Sequence, residues 1–181
     1  MSTAVVVTPA ADAIAGIQPP SLRLLQTAAC SVKELLRPGG MVSSNLRSNF
    51  AHLMAGSPPA LPPIETFVCT VARTLGVSAL VVATSLVYVE RLSGRLPRSA
   101  SGRADTPYRI FLAALLLADK YWSDRAVTIK SLVVAAGGLF RHREILAMER
   151  ALLRVLRFDL SVSPEHIRRF ADDLGLDIGA A

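Results

Sequence analysis

The sequence contains few of the residues that build catalytic and metal sites. Its 181 residues include two cysteines and three histidines, and none of these is spaced as metal ligands are. A glycine-rich phosphate loop is also missing, because Gly137-Gly138 lacks the further glycines and the Lys-Ser/Thr step of such loops. We therefore expect no cofactor, no metal site and no catalytic residue, which argues against an enzyme.

Long apolar runs and blocks of like charge are scarce as well. The longest apolar run, residues 75–89, contains hydroxyl side chains and is shorter than the roughly 20 residues of a membrane span, so we expect no membrane insertion. Cys30 and Cys69 fall on apolar helix faces rather than in a disulfide framework, which favours an intracellular protein of the nucleus or cytoplasm. The net charge is +6, but scattered arginines indicate a solvated surface more than a nucleic-acid site.

What the sequence does have is a central apolar stretch, residues 108–121. Between Ile110 and Ala118 no side chain is polar, so the segment is apolar on every side rather than along one stripe. Thr106-Pro107 is a good helix start, with a hydroxyl at the cap and proline at the first helical position. This pattern predicts the buried central helix of an all-α bundle.

Helical periodicity and Pro/Gly breaks divide the rest of the chain. Residues 1–20 are predicted to be disordered and residues 21–63 to form an N-terminal helical extension with a Pro-rich linker at 56–63. Residues 64–162 form the bundle, and residues 163–181 a short C-terminal helix and tail. The predicted helices span residues 21–37, 43–54 (weaker), 64–75, 79–93, 106–121, 127–136, 143–156 and 164–174.

Glu149 is the most unusual polar residue in this pattern. Positions three and four away on either side are Ile145, Leu146, Leu152 and Leu153, so the carboxylate lies on an apolar face and needs a donor. Lys120, at the end of the central helix, is the nearest plausible one. The pair could simply join two helices. Alternatively, both groups reach outward and bind a partner among apolar contacts from Leu117, Tyr121, Leu153 and Phe158.

Four sequence words carry a family resemblance. In order, they are YVERL (residues 88–92), YRIFLAALLLADKYWSD (108–124), GGLF (137–140) and MERALLRVLRFDLSV (148–162). In order and spacing they resemble the cyclin box, and most of all that of fungal PCL-type cyclins, which activate the cyclin-dependent kinase of phosphate and morphogenesis pathways. The resemblance implies a cyclin-box fold, five helices around a central one, present as a single box.

The resemblance also implies a function and a site. A cyclin is a regulatory subunit that binds and activates a cyclin-dependent protein kinase through the kinase αC helix, in cell-cycle, morphogenesis or nutrient control. Lys120 and Glu149 match the kinase-binding lysine and glutamate of the family. The apolar contacts match Leu117, Tyr121, Leu153, Phe158 and Leu160. Glu90 matches an acidic residue of structural ion pairs, and Arg109 and Asp124 match structural features of the PCL subgroup.

One departure and one alternative bear on this interpretation. The first helix of the box reads PPIETFVCTV instead of the Met-Arg-x-Ile-Leu word that docks substrates in other cyclins, so neither that docking nor the usual arginine partner of Glu90 is expected.

The alternative is a basic cyclin-like domain of a transcription factor that binds DNA. That hypothesis requires a basic face built from Arg95, Arg98, Arg103, Arg141 and Arg143.

Overall fold

The computed structural model describes residues 18–35, 37–38, 61–97 and 100–178. Within these residues the chain forms seven helices and one two-residue parallel strand pairing. The helices are α1 (Leu22–Glu34), α2 (Ile64–Leu75), α3 (Ala79–Arg95), α4 (Thr106–Trp122), α5 (Ile129–Ala135), α6 (His142–Leu156) and α7 (Pro164–Asp173), and the strands are β1 (Arg37–Pro38) and β2 (Ser101–Gly102). The all-α prediction is confirmed. The predicted helix at 43–54 and most of residues 1–20 and 56–63 lie outside the described residues.

Short polar side chains start most of these helices. The hydroxyls of Ser21, Ser78 and Ser163 each accept a hydrogen bond from a backbone N–H three residues further on, at 3.2–3.3 Å. Such caps satisfy N–H groups that have no partner inside the helix. At the other end of α2, Gly76 has φ +64°, a left-handed conformation in which glycine is least strained.

The central helix is α4, as the apolar stretch predicts. Its residues 111–119 are buried without interruption, and α1, α2, α3 and α6 all pack against it. The N-terminal helix α1 is part of the same core, since its apolar face (Leu24, Leu25, Ala28, Ala29 and Val32) is at most 1% exposed. Burying a leucine side chain contributes roughly 1.5–3 kcal/mol, so α1 is an integral layer of the bundle.

Asp119 is a buried carboxylate that ends the central helix. It accepts hydrogen bonds from the Ser123 hydroxyl at 2.8 Å and from the backbone N–H of Val127 at 2.5 Å. The neighbouring Trp122 donates its indole N–H to the Thr84 hydroxyl at 2.8 Å. These bonds fix the turn that follows α4, next to the last helical turn that carries Lys120.

None of the helices that the structure describes has the length and apolar character needed to cross a membrane.

Candidate partner-binding site

Lys120 and Glu149 meet where α4 and α6 cross. The Lys120 Nζ lies 2.5 Å from the Glu149 Oε1. The Glu149 side chain is 9% exposed and that of Lys120 is 43% exposed, so the carboxylate is held in the protein while the ammonium reaches the surface. An ammonium has three donors, and among the described residues Glu149 is the acceptor that Lys120 uses. The pair can therefore donate to a partner.

Apolar side chains follow this ion pair on α4, on α6 and in the loop after α6. Phe158 is 70% exposed and Tyr121 is 40% exposed, while Leu153 and Leu160 are partly buried. We call these four residues, with Lys120 and Glu149, the docking patch. Leu117 was expected to contact the partner directly, but it is only 4% exposed and supports the patch from the core. A charged pair within an apolar rim is typical of binding hot spots.

The segment that carries Phe158 has an unusual backbone. Arg157 and Phe158 are both left-handed, with φ of +54° and +58°, a conformation that costs a residue with a side chain roughly 1–2 kcal/mol. The Phe158 N–H donates to the carbonyl of Leu153 at 3.0 Å, which closes the end of α6. The strained turn projects the aromatic ring into solvent, and strain retained in this way is common at functional sites.

Helix α3 holds the loop 157–162 through side chains that bind its backbone. Arg91 donates to the carbonyls of Asp159 at 2.9 Å and Ser161 at 2.8 Å. Tyr88 donates to the carbonyl of Leu160 at 3.0 Å. Burial raises the pKa of the Tyr88 phenol, so it stays protonated and remains a donor. The loop is thus fixed relative to α3, which packs against both helices that carry the ion pair.

Arg95 completes this support and corrects a prediction. The predicted helix ends at residue 93 and leaves Arg95 outside it, whereas Arg95 is the last residue of α3. Its guanidinium donates to the Leu156 carbonyl at 2.5 Å and to the Asp159 carboxylate at 2.9 Å. The sequence interpretation missed the roles of Tyr88, Arg91 and Arg95. Their i, i+3, i+7 spacing was the available signal, because it places all three on one face of a helix.

Arg109 lies at the opposite end of α4 from Lys120 and is held within the molecule. Its guanidinium binds Asp105 at 2.7 Å and Glu144 at 3.1 Å, and it lies 4.8 Å from the centre of the Phe140 ring. Burial alone would lower the pKa of Arg109, but hydrogen bonds to the two carboxylates outweigh it and raise the pKa. The contacts agree with a structural role.

The other two residues expected to be structural make fewer contacts. Glu90 is exposed on α3, and no described residue forms an ion pair with it. Asp124 is exposed in the turn after α4. The described contacts tie Arg109 into the fold, and the structural roles expected of Glu90 and Asp124 stay predictions.

Comparison with known proteins identifies the class. The family described as Cyclin, N-terminal domain matches residues 61–161, which is more than half of the chain and includes the whole docking patch. The chain belongs to the cyclin family, whose members are regulatory subunits of protein kinases rather than enzymes themselves.

Particular relatives come from Saccharomyces cerevisiae. The chain is 36% identical to PHO85 cyclin-1 over 107 residues, covering 59% of the chain and 38% of the relative. It is 27% identical to PHO85 cyclin-9 over 146 residues, covering 81% of the chain and 44% of the relative. PHO85 cyclin-2 is 28% identical over 106 residues, or 59% of the chain and 34% of the relative. The chain thus spans about two fifths of the length of these relatives.

Proposed function

We propose that this chain binds a cyclin-dependent protein kinase and activates it by docking on the kinase αC helix. The observation that carries the proposal is the Lys120–Glu149 pair, at 2.5 Å, within an exposed apolar rim. The αC helix is an amphipathic element with free backbone groups at its ends. Lys120 can donate to its carbonyls and Glu149 can accept from its N–H groups, while Tyr121, Leu153 and Leu160 cover its apolar side chains.

Activation follows from a difference in affinity between two kinase states. A kinase is active when its own Lys–Glu ion pair forms and αC lies against the active site. A docking patch that fits αC in this position binds the active state more tightly and shifts the population toward it. The cyclin contributes no catalytic group; contacts within the chain hold its loop 157–162 and Glu149 in place for docking.

The kinase that we propose is of the PHO85 type, because three relatives carry that name. Nutrient control and morphogenesis are the processes that such a partner suggests. We propose that the protein acts in the nucleus or cytoplasm, together with such a kinase.

Charge reversal tests the docking patch. We expect Lys120→Glu and Glu149→Lys each to weaken binding to purified Saccharomyces cerevisiae PHO85 kinase by about thirtyfold or more, because each leaves a buried interfacial charge without its partner. Biolayer interferometry measures the affinity. Lys130→Glu is the matched control, since Lys130 is an exposed lysine on α5 outside the patch and should bind as the unmodified chain does.

The double variant Lys120→Glu/Glu149→Lys separates folding from docking. It restores an ion pair within the chain, so its thermal unfolding should be close to that of the unmodified protein, yet its kinase affinity should stay low. Normal binding by either single variant would show that the patch is not the interface. No binding by the unmodified chain would show instead that the kinase is of another type.

The DNA-binding alternative gains no support from a specific contact. The guanidinium of Arg95, one of the five arginines that it needs, is hydrogen-bonded to Leu156 and Asp159. Arg103 lies 3.7 Å from Asp105.

A further inference from the structure

A groove opens on the side of α3 that faces away from the loop 157–162. Tyr88, Arg91 and Arg95 lie on the face that holds the loop, whereas Leu86 and Glu90 lie on the opposite face, as the helical period requires. The groove has a volume of about 320 Å³ and is bounded by the end of α1, by α3 and by α7. A ligand in this groove would not contact the side chains that α3 uses to support the docking patch.

The groove combines an apolar floor with acidic walls. Val89 is buried at its base, and Leu35, Phe170 and Leu174 line its sides. Leu174 is 42% exposed, a large apolar side chain left open to solvent. Glu34 from α1 and Glu90 from α3 stand at the groove, and both are exposed. The lining therefore suits a ligand that is apolar in the middle and cationic at its ends.

These two carboxylates differ from most other glutamates of the same chain. Of the four others, three have a cation of their own: Glu65 pairs with Lys33 at 3.3 Å, Glu144 with Arg109 at 3.1 Å and Glu149 with Lys120 at 2.5 Å. Glu165 has no such pair in the described part of the chain, but it does not line the groove. Within the described ranges, Glu34 and Glu90 have neither an ion pair nor a side-chain hydrogen bond. Yet the chain carries 20 lysines and arginines against 14 acids. Two glutamates without a cation thus line one apolar groove in a protein with a cationic excess.

We propose that this groove binds a short basic segment of a partner protein, in which arginine or lysine side chains flank an apolar residue. The apolar side chain would lie on Val89 and Phe170, and the two cations would pair with Glu34 and Glu90. Glu90, which lacks a partner within the described chain, thereby acquires one from another molecule. Binding of the segment does not depend on the kinase, but its use to recruit a substrate or regulator rests on the proposed function.

Synthetic peptides test the proposal on the full chain. The probes are fluorescein-labelled decapeptides in which two arginines, separated by one to four residues, flank a leucine. We expect at least one spacing to bind, with an affinity that falls as salt rises. Replacing both arginines by citrulline, or the leucine by asparagine, should abolish binding, since the two changes remove the charge and the apolar contact separately. Fluorescence polarisation measures the affinity.

Variants of the protein locate the site. Glu34→Gln and Glu90→Gln should each weaken peptide binding about fivefold, as expected for partly exposed ion pairs, and the double variant about twentyfold. Glu165→Gln is the matched control, because Glu165 is an exposed glutamate that does not line the groove. Kinase affinity of the double variant should be unchanged, so this test and that of the docking patch can fail independently.

Three results would overturn the proposal. One is that no peptide of the series binds the unmodified chain. Another is that binding survives in the double variant, which would place the peptide elsewhere. The third is self-association in sedimentation experiments that the double variant abolishes, since the occupant of the groove would then be a second copy of this chain.

Discussion

The two ends of α4 each carry a basic residue that contacts α6 or its flank, and they use it differently. At the start of the helix, Arg109 binds two carboxylates and lies over an aromatic ring. At the end, Lys120 binds one carboxylate and is 43% exposed. Arg109 directs its hydrogen bonds to groups within the fold, whereas Lys120 keeps donors for another molecule. An ion pair between helices does not by itself show whether its residues belong to a binding interface or to the core. The number of donors that the pair leaves unused is the better guide.

Removing the cation at the start of the helix should have the largest effect on stability. We expect Arg109→Met to lower the free energy of unfolding by about 2 kcal/mol, because Asp105 and Glu144 both lose their hydrogen bond to the guanidinium. The value is smaller than for a fully buried pair, since the Arg109 side chain is 33% exposed. Urea denaturation measures it, and kinase affinity should stay within about twofold.

Lys33→Met is the control for this change. Its pair with Glu65 is exposed, at 63% and 44%, so its removal should change the free energy of unfolding much less than Arg109→Met does. If Arg109→Met proved no more destabilising than Lys33→Met, or if it abolished kinase binding, the two ends of α4 would not differ in the way described.

Replacing the strained Phe158 of the docking patch should stabilise the fold rather than destabilise it. We expect Phe158→Gly to raise the free energy of unfolding by roughly 0.5–1 kcal/mol, because glycine adopts the left-handed backbone without strain. The exposed ring contributes little burial in the free protein. Kinase binding should nevertheless weaken about tenfold, as the patch loses its most exposed aromatic side chain.

Arg157→Gly is the matched control for Phe158→Gly. Arg157 has nearly the same backbone angle, with φ +54° against +58°, so it should gain similar stability in chemical denaturation while keeping kinase affinity. Equal losses of affinity in both variants would show that the backbone of the turn, and not the ring, is what the kinase contacts.

The smallest expected effect is a change in stability at acidic pH. It concerns Glu144, which pairs with Arg109 at the start of α4. A hydrogen bond from the backbone N–H of Arg141, and then one from Arg109, lower the pKa of Glu144 below its ordinary value of 4.5. A carboxylate with a lowered pKa stabilises the fold above its unfolded pKa and loses this contribution as pH falls through the folded value. Between about pH 5 and pH 3, Glu144→Gln should therefore lose stability less steeply than the unmodified chain, as urea midpoints will show. Parallel curves would contradict this.

Local signals were enough to predict most of the helices. The limits of α2, Ile64–Leu75, follow from Pro63 before it and Gly76 after it, and the apolar run of α4 requires a buried helix whatever packs around it. The approach of Lys120 to Glu149 could also be inferred, because a carboxylate on an apolar face needs a donor.

The support of the docking patch could not be predicted in the same way. The bonds from Arg91 and Arg95 to the end of α6 and the loop 157–162 join residues 61 to 70 positions apart in sequence, and their acceptors are mostly carbonyls, which every residue possesses. The one side-chain acceptor, the Asp159 carboxylate, does not tell from the sequence which arginine of the chain it meets. Leu117 shows the same limit: the helical spacing placed it near Lys120, but only the packing of α6 shows that it is covered.

The bonds that hold the loop 157–162 have a consequence for variation among related chains. Tyr88 and Arg91 bind carbonyl oxygens of Asp159, Leu160 and Ser161, and a carbonyl is the same for any amino acid. Except at Asp159, whose carboxylate binds Arg95, substitutions in the loop can therefore change the size and polarity that a partner meets without removing these bonds. The backbone path of the loop thus depends little on the side chains that it carries. A preference for a new partner can arise by replacing a few of these side chains.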